Sequence, residues 1–243
     1  MTLIEHLAEL RTRLFVSIVA WIVAAGIAFG FRFNLLEWLR APLPDGFTLN
    51  AFGVLEPFLV SMNISAFFGV VLAAPVIGAQ VWLFIAPALY TEEKRWAIPF
   101  VFFTAGAFST GVIFARYVVL PLALPILLGF LGSEANVLLS IGDYISKLIL
   151  YMAVFGILFE MPVLAFLLAR LGFIYAPMMR QYRRYAIVGG CVAAAVVTPT
   201  GDPFNFALVA VPLVVLYELS ILIVRFSQKR PLERAADPLP LEE

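Results

Sequence analysis

Residues 144–169 read YISKLILYMAVFGILFEMPVLAFLLA, and this stretch decides the fold class. It is long enough to cross bilayer hydrocarbon of roughly 30 Å, which takes about 20 residues as a helix. One carboxylate, Glu160, lies inside it, followed at once by Met161 and Pro162. A charge at the bilayer centre costs about 3 kcal/mol on insertion scales, so such a residue marks a functional site. Pro162 adds to the cost, because it has no N–H for the carbonyl of Leu158. A proton, a polar neighbour or a water-filled cavity has to compensate. The plainest compensation is a protonated Glu160 making one hydrogen bond between helices.

Comparable apolar runs recur outward from this stretch along almost the whole chain. The chain is 63% hydrophobic and 13% charged, against about 25% charged in soluble domains. A bilayer admits only helices or closed barrels. Continuous apolar runs, rather than alternating segments of about ten residues, exclude the barrel. The sequence therefore predicts an all-α integral membrane protein with six transmembrane helices. They fall at residues 14–31, within 57–91, from 96 to just past 116, and at 144–169, 185–197 and 204–224. Span three fades into the region of Pro121 and Pro125.

Ahead of the first span, Thr2-Leu3-Ile4-Glu5 reads as a capping box that starts a helix. Leu3, Leu7, Leu10 and Leu14 follow at helical spacing, with Glu5, Glu9 and Arg13 on another face. That pattern predicts an amphipathic segment at the membrane interface. Spans five and six are short. The fifth offers only about 20 Å of helix before Pro199 at 1.5 Å per residue, which calls for local bilayer thinning. Thr198-Pro199-Thr200-Gly201-Asp202-Pro203 joins the two as a tight turn by composition. Residues 1–230 form a single membrane domain, and the polar, proline-rich residues 231–243 read as a disordered tail.

Of the 16 lysines and arginines, twelve lie on the side of both termini and only Arg32, Arg40, Arg116 and Lys147 on the other. This positive-inside bias places the termini in the cytoplasm. The net charge of zero speaks against nucleic acid. Cys191 stands alone, so there is no disulfide framework or thiol metal site. The first residues mix acids and bases, unlike a cleavable signal.

Motifs of catalysis are absent. There is no phosphate-binding P-loop, no HExxH and no GxSxG elbow. His6, the single histidine, precedes span one, so no serine–histidine pair forms within the membrane. Ser146 and Lys147 are adjacent and point to different helix faces. The chain reads as no enzyme, with no cofactor and no metal. Gly26 and Gly30 form a GxxxG, a weak packing signal.

Two acidic features on the terminal side carry more. Glu9 stands four residues before Arg13, a favourable helix pair of about 0.3–0.5 kcal/mol. Glu92 and Glu93 follow Thr91, where acids suit a helix N-terminus. Carboxylates at a membrane interface can also hold guanidinium groups through paired, charge-assisted hydrogen bonds.

Several segments resemble one family. His6-Leu7-Ala8-Glu9-Leu10-Arg11, Ala41-Pro42-Leu43, Glu56-Pro57-Phe58, Gln80-Val81-Trp82 and Phe84-Ile85-Ala86-Pro87-Ala88-Leu89-Tyr90 resemble the TatC family. So do Glu93 with Arg95, Leu120-Pro121-Leu122-Ala123, Phe159-Glu160-Met161-Pro162 and Thr198-Pro199 with Asp202. TatC is the multispanning component of the twin-arginine protein translocase. The matches fall in order along nearly the whole chain.

The resemblance implies a receptor in the bacterial cytoplasmic membrane for export of folded proteins, driven by the proton-motive force. Substrates would carry signal peptides with paired arginines, and the partners would be single-span TatA and TatB subunits. By the same resemblance, Glu9 and Glu93 receive the arginines and Glu160 is the intramembrane acid. Asp202 is a possible functional residue of an outer loop, in a turn that lacks the second proline the family often has before it.

Gln80 and Glu160 each lie ten residues in from a cytoplasmic boundary, about 15 Å by helical rise. A Gln amide can donate or accept, so the two side chains are expected to face a common polar pocket. The alternative function is a proton-coupled secondary transporter of a small solute with Glu160 as carrier. Such folds often show inverted repeats, and none is visible here. An intramembrane protease is the third reading, disfavoured by the missing catalytic pairs.

Overall fold

In a computed structural model, residues 3–44, 46–85, 97–129, 138–197 and 202–227 are described. The order is α1 (Leu3–Gly30), α2 (Arg32–Arg40), β1 (Leu49–Asn50), α3 (Glu56–Ile85), α4 (Ala97–Phe114), a π-helical turn (Ala115–Val119) and α5 (Leu120–Leu128). Then follow β2 (Leu139–Ser140), α6 (Ile141–Phe159), α7 (Met161–Arg170), α8 (Ala176–Gln181), α9 (Arg183–Val197) and α10 (Pro203–Ser227).

Among the described residues, five stretches are long and apolar enough to cross a membrane: Glu5–Gly30, Glu56–Ile85, Ile98–Leu128, Ile141–Arg170 and Pro203–Ser227. The expected fifth span is α9, with 15 residues. At 1.5 Å per residue that is about 22 Å, short of the hydrocarbon thickness. Span three does not fade in the region of Pro121 and Pro125. It runs on through the π-helical turn and α5 without a gap, with Pro121 in the first turn of α5 and Pro125 inside it. Span two is helical from Glu56, and its expected end at residues 86–91 lies outside the described residues. So do Thr2 of the capping box, residues 198–201 of the turn and the tail 231–243.

The N-terminal segment and span one form a single helix, α1, from Leu3. Its two faces differ in burial. Leu7, Leu10 and Leu14 are exposed, while His6, Glu9, Arg13 and Ser17 are partly buried. In lipid the apolar stripe has no reason to turn inward, and polar groups seek protein partners instead.

Close backbone approach holds the helices together. On α3, a Cβ at Gly69 would sit 2.8 Å from Ala25 of α1, and Trp21 Nε1 donates to the Ala66 carbonyl at 2.9 Å. Where α4 crosses α6, Gly111 lies against the Phe155 carbonyl and Gly156 against Phe108. Small residues of this kind let membrane helices pack by dispersion. Gly26 and Gly30 do not take part, for nothing lies within 4 Å of a Cβ at either.

One end of the bundle is strapped. β1 pairs in parallel with β2, Leu49 opposite Leu139 and Asn50 opposite Ser140. Glu56, the first residue of α3, ties the strap together. Its Oε2 accepts from the N–H groups of Phe52 at 2.6 Å and Gly53 at 3.1 Å. Its Oε1 accepts from Ser140 Oγ and from Gly142 N–H at 2.8 Å. Beneath the strap lies the main core, with Leu39, Ile64, Leu120, Ile145, Leu148, Met152 and Phe155 all below 2% exposed.

Arg116 is buried in the same region. Its Nε and Nη2 donate to the Trp38 carbonyl at 3.1 and 2.8 Å, and its guanidinium lies 5.0 Å from the Trp38 ring centre. A cation there satisfies an orphan carbonyl at the C-terminus of α2 and complements its dipole. The π-helical turn, with its wider winding, carries Arg116 in its second position. The opposite end has a smaller cluster, Trp82 on α3, Phe100 on α4 and Leu167 on α7.

Candidate functional site

Span four breaks at the residue the sequence singled out. Glu160 ends α6 and precedes α7, and Pro162 lies in the first turn of α7. The Glu160 N–H turns back to the Ile157 carbonyl at 3.1 Å, and its own carbonyl accepts from Leu164 N–H at 2.9 Å. The break follows from Pro162, which cannot donate to Leu158 and crowds the preceding turn. The Glu160 carboxyl is half-buried and has no hydrogen-bond partner among the described residues. Gln80 does not bond to it, and the Gln80 Oε1 is buried without a partner.

Glu9 lies on the side of α1 that meets α3. Arg13 Nη2 donates to its Oε1 at 3.2 Å, with side-chain exposures of 31% for Arg13 and 17% for Glu9. The second oxygen, Oε2, is buried and unpartnered, as is Arg13 Nε. One turn earlier, the His6 ring stacks on Phe84 of α3, 4.4 Å between centres. Glu9 is thus a carboxylate half engaged by a guanidinium, not the fully exposed pair its spacing suggested. Glu93 lies outside the described residues.

Asp202 caps α10. Its Oδ1 accepts from the Asn205 N–H and its Oδ2 from Asn205 Nδ2, both at 2.8 Å. This is the ordinary task of an aspartate at a helix N-terminus.

The sequence reading passed over Glu218, an acid inside α10. It is held by Arg183 of α9, with Nε to Oε1 at 2.7 Å and Nη2 to Oε2 at 2.9 Å. The two-pronged pair fits the planar guanidinium fork. One turn away in packing, Tyr217 donates to the Met179 carbonyl of α8 at 2.8 Å. The available signal was an uncompensated acid within an apolar run, next to a helix that opens on Arg183-Arg184.

The comparisons with known proteins agree with one another. The family model described as Sec-independent protein translocase protein (TatC) matches residues 5–212. The Sec-independent protein translocase protein TatC of Deinococcus radiodurans is 39% identical, over 98% of this chain and 91% of its own length. That of Aquifex aeolicus is also 39% identical, over 96% of this chain and 98% of its own. A crystal structure of the twin-arginine translocase receptor TatC superposes with a TM-score of 0.81 at 39% identity, covering 92% of this chain and all of that one. The broken fourth span, the half-engaged Glu9 and these likenesses lead to one conclusion: the chain belongs to the TatC family, the receptor component of the twin-arginine protein translocase.

Proposed function

We propose that this protein binds signal peptides bearing paired arginines and nucleates a translocase that exports folded proteins, driven by the proton-motive force. Its partners are single-span TatA and TatB subunits, and it works without catalysis of its own. The observation that carries the reading is Glu9. One of its oxygens already holds a guanidinium and the other is buried without a donor. A desolvated carboxylate in that state gains from a planar, multi-donor cation more than from an ammonium.

In this reading Glu93 supplies a second carboxylate at the same membrane face. The chain crosses the bacterial cytoplasmic membrane six times, α9 included, with both termini and the α1 start in the cytoplasm. The twelve-to-four distribution of basic residues supports that orientation. The strapped end and Asp202 then lie outside. Glu160 and Gln80 are intramembrane polar groups open to an inserted peptide, since Gln80 Oε1 is buried without a partner and no described residue bonds the Glu160 carboxyl.

The test uses signal peptides carrying Arg-Arg or Lys-Lys, added to the full-length protein in vesicles of defined orientation. The Arg-Arg peptide should bind better by about tenfold or more, as for a lost charge-assisted bond, and only where the α1 start faces the bath. Glu9→Ala should remove the preference without lowering expression. Equal binding of both peptides to the wild-type protein would end the paired-guanidinium reading.

A further inference from the structure

Gln80 shares its face of α3 with residues that pack on α1. Gly69 lies about three turns before it and Phe84 about one turn after it on a 3.6-residue helix. Gly69 receives Ala25, and Phe84 stacks on His6. The stripe of α1 that meets them is His6, Glu9, Arg13, Ser17 and Trp21, each partly buried. The helices run antiparallel here. Stepping one turn from Phe84 to Gln80 therefore matches stepping one turn from His6 toward Glu9 and Arg13.

Three polar atoms at this level are buried without partners: Glu9 Oε2, Arg13 Nε and Gln80 Oε1. Buried polar atoms in folded proteins are nearly always paired, so a group of orphans calls for an explanation. Two of these are acceptors, and among the described residues the only donor engaged with Glu9 is the Arg13 guanidinium.

We infer that Gln80 is a specificity-determining residue of the arginine receptor, its amide oxygen and Glu9 Oε2 forming a two-acceptor cradle for a guanidinium. This rests on the reading of Glu9 given above and extends it to a residue on α3. The chemistry discriminates by donor number and shape. A guanidinium has donors on several edges of one plane and can reach acceptors on two facing helices at once. An ammonium is a compact, strongly hydrated point charge, which would have to shed its water for a dry site. The Arg13 guanidinium shows the occupancy: it already holds Oε1 from within the chain and leaves the second oxygen open.

The cradle is tested with full-length protein in lipid nanodiscs and synthetic signal peptides carrying Arg-Arg or Lys-Lys. Gln80→Leu removes the acceptor, and Gln80→Glu keeps an oxygen in place while deleting the amide N–H groups. In Gln80→Leu, Arg-Arg affinity should fall about tenfold, the size of one bond to a charged group. Lys-Lys affinity should hold, so the ratio collapses. Gln80→Glu should bind Arg-Arg at least as well as wild type. An undiminished ratio in Gln80→Leu, with wild type still discriminating, overturns this inference and leaves the Glu9 reading standing. Gln80→Glu failing as badly as Gln80→Leu also overturns it, because the amide would then be donating to Glu9. A wild-type protein that prefers neither peptide defeats both readings, and that result needs no variant to recognise.

Discussion

Glu56, at the strapped end, has both carboxyl oxygens filled by four donors from three segments. Glu9, at the opposite end, has one oxygen on Arg13 and the other buried with no donor. The same contrast separates Arg116, which bonds twice to the Trp38 carbonyl, from Gln80 and Thr104, whose side-chain oxygens are buried and unpartnered. Packing follows suit. The largest buried cluster lies near the strap, and the other end has two small groups, one of Trp82, Phe100 and Leu167 and one of Ala165, Ala176 and Val224. Satisfied polar networks rigidify a structure, and a buried polar group left unpaired costs free energy. On the proposed function the two ends divide stability from recognition, although Asn205 Oδ1, beside Asp202, is also buried without a partner.

The sharpest way to break this comparison is through the α4–α6 crossing. In Gly111→Ala the new Cβ would collide with the Phe155 carbonyl oxygen. Overpacking against backbone should cost about 3 kcal/mol or more, well above the ~1 kcal/mol that Ala gains over Gly in a helix. Gly106→Ala on the same helix meets nothing within 4 Å, and it should stay within about 1 kcal/mol of wild type. Denaturation of both variants in detergent checks the pair. Equal stabilities would mean that the two helices do not cross as closely as described.

Smaller and more local is the effect expected of Glu56→Ala. It deprives Phe52, Gly53 and Gly142 of their acceptor, so their amides should exchange on the order of tenfold faster while the core stays protected. Signal-peptide binding at the far end should persist. Lost binding would show that the two ends are coupled and that the division is false.

The smallest change in stability belongs to Glu160. With no hydrogen-bond partner to lose among the described residues, Glu160→Gln and Glu160→Ala should each unfold within about 1 kcal/mol of wild type. Export of a reporter with an Arg-Arg signal should separate them, surviving in large part in Glu160→Gln and failing in Glu160→Ala. Equal export by both would remove Glu160 from the mechanism.

What was legible in the sequence follows from which forces act locally. The long spans could be read because each is a continuous apolar run, and the break in span four because Pro162 acts on its own helix. Glu160 stood out for the same reason. The apolar stripe of α1 was legible too, and its leucines are exposed because such a stripe means core in water but lipid contact in a bilayer. Helix α2, the β1–β2 pair and the tasks of Glu56 and Arg116 were not foreseen. Each depends on partners far along the chain, as when Arg116 meets Trp38 across 78 residues. The Glu218–Arg183 pair was hidden for a similar reason: its members lie on different helices, and only packing brings them together.

The strap also has a place in time. Ser140 and Glu56 are separated by 84 residues, and everything between them must cross the bilayer and return before they can meet. Contacts of such separation bear their loop-closure entropy before they contribute anything. The strap therefore closes late in assembly, after α3 and α4 have packed. Interactions that form after the transition state slow unfolding without hastening folding. Glu56 thus acts as a latch on a bundle already built, lengthening its lifetime rather than guiding its formation.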